Sequence, residues 1–152
     1  MKKIILGIGT GLGIGYFPFI PGTMGSLGGV ILYLLIWRIS PGFLSQAIAL
    51  IIVLGVGIWI SGKCEEYLKA KDHPCIVIDE MGGFLMSVFA FSFSFRFLIL
   101  GFILFRLFDI VKPFKINKIN KLPKGWGVVL DDLAAGVLAN LVLRIIISTA
   151  GW

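Results

Sequence analysis

Residues 43–60 read FLSQAIALIIVLGVGIWI, eighteen consecutive positions without a charged side chain. A helix needs about 20 mostly apolar residues to cross the hydrocarbon core of a bilayer, and this run is close to that length. Its ends are marked by Ser40-Pro41-Gly42 before it and Gly62-Lys63 after it. The whole chain has the same character. Of 152 residues, 58% are hydrophobic and only 14% are charged, with a mean hydropathy of +1.01. A soluble domain of this size needs more polar surface, so the apolar excess must face lipid.

Working outward from that run, residues 27–37 are apolar but short, and they form a helix only with the turn that starts at Gly22. The run from Cys75 to about Phe105 is too long for one crossing. It divides at Ser92-Phe93-Ser94-Phe95-Arg96, which predicts helices over 76–91 and 97–111, and a last helix covers 128–147. The expected fold is all-α: one polytopic membrane bundle over residues 1–152, with about four to five transmembrane helices.

Basic residues beside the spans set the orientation. Lys2, Lys3, Lys63, Lys69, Lys71, Lys112, Lys115, Lys118, Lys121 and Lys124 share one side, against Arg38, Arg96 and Arg144 on the other. The lysine-rich side is expected to be cytoplasmic. Helix parity then places the start of the first span inside as well, so residues 4–21 must be interfacial or re-entrant. Lys2 and Lys3 before an apolar run imitate a signal peptide, but glycine at every second position from Gly7 to Gly15 makes a poor signal helix. The segment is expected to stay in the mature chain.

The formal charge is +6. Its basic residues lie in short clusters outside the apolar runs, which suits an anionic lipid surface and not a nucleic acid. Cys64 and Cys75 match no zinc or redox spacing and are read as free thiols. His73, which precedes Pro74 in a loop, is read as a surface histidine, with proton transfer as its functional alternative.

Of eight carboxylates, Glu65, Glu66 and Asp72 lie among lysines in a polar loop. The other five, Asp79, Glu80, Asp109, Asp131 and Asp132, are embedded in or abut apolar helices, all at similar depth on the lysine-rich side. Ionisable groups at that depth are expensive and mark function by default. Helix-terminal acids gain from the macrodipole, and Asp109 can pair with Arg106 or Lys112, but neither explains a double acid on each of two helices. Gly82-Gly83 and Gly136 follow one turn later and allow close helix approach. Five clustered negative charges need a cation. With oxygen ligands only, that cation is expected to be Mg2+.

Arg106 and Lys112 flank Asp109 and offer phosphate contacts, a planar fork and a point charge respectively. Pro21-Gly22-Thr23-Met24-Gly25-Ser26 enters the first span from the same side, with free amides and the hydroxyls of Thr23 and Ser26 before a helix N-terminus, the ingredients of an anion cradle. The glycines from Gly7 to Gly15 do not have nucleotide-binding spacing, since positions 12 and 14 are Leu and Ile.

Three blocks carry a family resemblance: Pro21-Gly22-Thr23-Met24-Gly25-Ser26-Leu27; Ile76-Val77-Ile78-Asp79-Glu80-Met81-Gly82-Gly83; and Phe105-Arg106-Leu107-Phe108-Asp109-Ile110-Val111-Lys112-Pro113, continuing to Gly125-Trp126-Gly127 and Asp131-Asp132-Leu133-Ala134-Ala135-Gly136. In this order they resemble the phosphatidylglycerophosphatase A family. The resemblance implies a magnesium-dependent enzyme of the bacterial inner membrane that converts phosphatidylglycerol phosphate to phosphatidylglycerol and inorganic phosphate. On this reading the five acids supply metal ligands, Arg106, Lys112, Thr23 and Ser26 hold the phosphate, and the nucleophile is a metal-activated water or an aspartate. The alternative is a small transporter or channel subunit with an acidic cation site. That would want polar residues continuing across the bilayer, and the outer halves of these helices are almost wholly apolar.

Overall fold

The computed structural model describes residues 1–113 and 122–151; Lys115, Lys118 and Lys121, read above as anchors, lie outside the described residues. Among the described residues there are six α-helices: α1 (Lys2–Gly9), α2 (Pro21–Ile39), α3 (Phe43–Leu68), α4 (Ile78–Ser87), α5 (Phe95–Val111) and α6 (Trp126–Ala150). The all-α expectation holds. α2, α3 and α6 are each long and apolar enough to cross a membrane. Ile31, Leu35, Ile51, Ile99, Ile103 and Ile145 point away from the bundle, an outward apolar face of the kind that lipid covers.

α2 starts earlier than its apolar residues suggest. Pro21 takes its first position, where the ring fixes φ and no amide is wasted. Its glycines then form a stripe that receives α4. A Cβ on Gly25 would stand 2.7 Å from Val77 Cβ, and one on Gly29 3.1 Å from the buried Phe84. Phe84, Val88, Phe105, Ala135 and Ala139 build the core around this contact.

The 76–91 expectation is corrected. α4 has only ten residues, about 15 Å of helix and half of what a crossing needs. The chain leaves the helix at Val88, and Ala90 takes a left-handed φ of 63°. Side chains from two other helices make this break tolerable. Asn140 on α6 donates to the carbonyls of Met86 (3.1 Å), Ser87 (3.2 Å) and Phe89 (2.9 Å). Gln46 on α3 accepts from Ala90 N at 2.8 Å and donates to Phe91 O at 3.1 Å. Irregular backbone at membrane depth survives only when packed protein meets its polar groups in this way. Asn140 thus serves three backbone carbonyls with one amide.

Residues 1–20 pack beside the head of α4. Ile5 of α1 joins Ile60, Cys64 and Ile78 in a second apolar cluster, and Val77 N donates to Gly9 O at 2.9 Å. A 3₁₀ turn, Ile14–Tyr16, leads on towards α2, with Leu12 and Phe19 almost fully exposed. Both cysteines are free and buried. Burial pushes the Cys75 thiol above its ordinary value, so it resists ionisation and oxidation.

Candidate active site

α4 points its first turn, with Asp79 and Glu80, at the second turn of α6, which carries Asp131 and Asp132. The two helices meet where glycine faces glycine. A Cβ on Gly136 would run into Gly83 O, and one on Gly83 would sit 2.8 Å from Asp132 O and 2.5 Å from the Phe105 ring. Because those positions lack side chains, the acids of both helices converge. Carboxylate oxygens of Asp79, Glu80 and Asp132 lie within 4.8 Å of one another.

Helix dipoles account for only part of this group. Asp79 and Glu80 occupy the first turn of α4, where negative charge is favoured. α6 starts at Trp126, earlier than expected, so Asp131 and Asp132 lie beyond its first turn and gain little from its dipole. Asp79 and Asp132 are 4% and 5% exposed, yet Asp79 Oδ1, Glu80 Oε2 and Asp132 Oδ2 have no hydrogen-bond partner among the described residues. Buried, unpartnered oxygens on three mutually repelling groups form a donor set that fits a hard divalent cation.

The other two acids hold cations. Asp109 Oδ2 pairs with Arg106 Nη1 at 2.5 Å, the i,i+3 pairing noted from sequence. Asp131 pairs with Lys112, which caps α5 in a left-handed conformation and so reaches across to α6. Of the five acids, the fold therefore brings three into one cluster and places two in ion pairs beside it.

Arg106 joins the two halves of the site. Its Nη1 donates to Ser26 Oγ at 3.5 Å, while its buried Nε has no partner among the described residues. Gly22 backs directly onto it: a Cβ there would lie 3.2 Å from both guanidinium Nη atoms and 2.7 Å from Glu80 Oε1. The first turn of α2 thus borders both the acids and the arginine. Ser26 is fully buried and also donates to Gly22 O at 2.9 Å, so its hydroxyl ties Arg106 of α5 to the start of α2. Thr23, half-buried in the same turn, has no hydrogen-bonded hydroxyl among the described residues. His73 lies in the loop before α4, where its Nδ1 accepts from Cys75 N at 3.2 Å. The sequence reading passed over Gln46, and it valued Gly22 for its free amide without seeing that its lack of a side chain admits Glu80 and Arg106.

A family model for phosphatidylglycerophosphatase A matches residues 7–147. The chain belongs to the phosphatidylglycerophosphatase A family. Family members in Escherichia coli and Haemophilus influenzae, both named phosphatidylglycerophosphatase A, are 31% and 33% identical. The match covers 91% and 90% of this chain, and 81% and 84% of theirs. A Bacteroides thetaiotaomicron protein with the provisional name phosphatidylinositol-3-phosphatase is 36% identical over 91% of this chain and 90% of its own length. No solved structure matches the chain. Membership of the phosphatidylglycerophosphatase A family makes this a phosphatase of membrane lipids. It decides against the transporter alternative on grounds independent of the acidic cluster, and its matched span contains every site residue discussed here.

Proposed function

We propose that the protein is a Mg2+-dependent phosphatase that removes the terminal phosphate of phosphatidylglycerol phosphate in the cytoplasmic leaflet of the bacterial inner membrane. The observation that carries this reading is the triad Asp79, Glu80 and Asp132, with its unpartnered oxygens, beside an arginine that borders the first turn of α2. Two of the named relatives support the substrate, and the lysine-rich end that holds the site supports the cytoplasmic orientation.

The triad would hold the metal, and Mg2+ bound there supplies Lewis-acid polarisation of the phosphoryl oxygens. Arg106 offers its free Nε to the phosphate, while Asp109 fixes the plane of its guanidinium. Lys112 adds a second positive charge, oriented by Asp131. Thr23 stands in the same turn as Gly22 with its hydroxyl uncommitted, so it can donate to the phosphate.

A second substrate has a specific argument. The Bacteroides relative points to a phosphate on an inositol ring, which would need the same triad and arginine but a wider mouth. Purified protein in mixed micelles, given phosphatidylglycerol phosphate or phosphatidylinositol 3-phosphate with Mg2+ or chelator, tests both. Phosphate release from the first, abolished by chelator, is expected. Release from the inositol lipid alone would replace the substrate, and release from neither would overturn the proposal.

A further inference from the structure

Asp132, Gly136 and Asn140 lie four residues apart along one face of α6, and all three meet α4. Asp132 completes the triad with Asp79 and Glu80 at the head of α4. Gly136 meets Gly83 midway, and Asn140 holds the carbonyls at its tail. The middle contact brings the helices close, but glycine against backbone has no side chain to resist sliding along the axis. Resistance must come from elsewhere. Asn140 is 5% exposed and puts one amide group on three carbonyls, Met86, Ser87 and Phe89, at and just past the end of α4.

We propose that Asn140 is a positioning residue of the metal site: by gripping the tail of α4 it sets the axial register that brings Asp79 and Glu80 level with Asp132. This rests on the metal reading of the triad given above. Eight residues of helix separate Asn140 from Asp132, a lever of about 12 Å. α4 is a single rigid rod of ten residues, so a shift at one end reappears at the other. Arg144 has a lesser part. Its Nε donates to Asn140 Oδ1 at 2.8 Å, it lies over the Phe91 ring, and its exposed Nη2 reaches Phe89 O at 3.3 Å, so it steadies the amide and touches one of the three carbonyls, past the end of α4, but neither Met86 O nor Ser87 O.

The test is Mn2+ binding, read from the free-ion paramagnetic resonance signal of the purified full chain in micelles, with circular dichroism to confirm folding. Asn140→Ala and Asn140→Asp both remove the donor amide, and the second preserves shape and the acceptor for Arg144. Both are expected to weaken Mn2+ binding by about 10- to 100-fold, and Arg144→Ala to change it by less than about twofold. If Asn140→Ala fails to fold, Asn140→Asp decides. Wild-type affinity in a folded Asn140→Asp would show that the amide only stabilises, and would overturn the inference while leaving the metal reading intact. A wild-type chain that takes up no Mn2+ would remove both.

Discussion

Replacing Asp132 by Asn should make the metal-free protein more stable and the enzyme inactive. In the absence of metal, three carboxylates share a space in which their oxygens lie within 4.8 Å of one another. At that distance two unit charges repel by about 3.5 kcal/mol at an effective dielectric near 20. Asp132 takes part in two of the three pairs, so neutralising it relieves at most about 7 kcal/mol by the same arithmetic. Proton uptake by the crowded carboxylates, water entry and side-chain relaxation remove much of this, leaving on the order of the 0.5–2 kcal/mol that single stabilising substitutions commonly yield. For a chain of this length that raises the melting temperature by roughly 2–8 °C. The new amide also has neighbours to donate to, the open oxygens of Asp79 and Glu80. The assay is thermal unfolding in micelles with chelator and then with Mg2+, alongside phosphate release. The wild type should gain stability from Mg2+, as a site with 100-fold excess ligand gains about 2.7 kcal/mol. The variant should start higher, gain nothing from the metal and release no phosphate. A variant that melts below the wild type in chelator would refute the idea of three repelling charges. One that still hydrolyses lipid would refute the assignment of Asp132.

Two further outcomes follow from distances already given. Gly83→Ala would place a methyl 2.5 Å from the Phe105 ring and 2.8 Å from Asp132 O, forcing α4 and α6 apart. Such overpacking costs about 1–3 kcal/mol, so a lower melting temperature and a loss of phosphate release should appear together; a neutral substitution would show that the two helices are not pressed together there. Arg106→Lys keeps the charge and loses the fork that serves Asp109 and the phosphate at once. A charge-assisted hydrogen bond contributes about 1.5–3 kcal/mol, so kcat/KM should fall about 10- to 100-fold. Activity within twofold of the wild type would remove Arg106 from the phosphate site.

The membrane character, the spans beginning at Phe43 and near Val128, and the five embedded acids were all legible in the sequence, because apolar length and isolated charge are linear signals. The division of those acids into a triad and two ion pairs was not. It depends on Lys112 adopting a left-handed conformation at the end of α5 and on the closeness of Gly83 to Gly136, both properties of the assembled bundle. The early end of α4 was hidden for a similar reason. Residues 88–91 are as apolar as those before them, and nothing local stops the helix. What stops it is the supply of hydrogen bonds from Gln46 and Asn140, which lie 44 and 51 positions away from the atoms they serve. Asn140 and Gln46 each give no local signal beyond being polar within an apolar run.

The brevity of α4 also has a bearing on how the protein is made. A helix of ten residues is too short to be recognised as a membrane segment by itself. The carbonyls of Ser87 and Phe89 at its tail lack the Asn140 donor until α6, which follows α4 and α5 in the chain, has been synthesised. Asp132 arrives on the same helix. Completion of the acidic site and closure of the broken segment therefore both wait on the same helix. Until it happens the nascent chain carries Asp79 and Glu80 without the helix that completes their site.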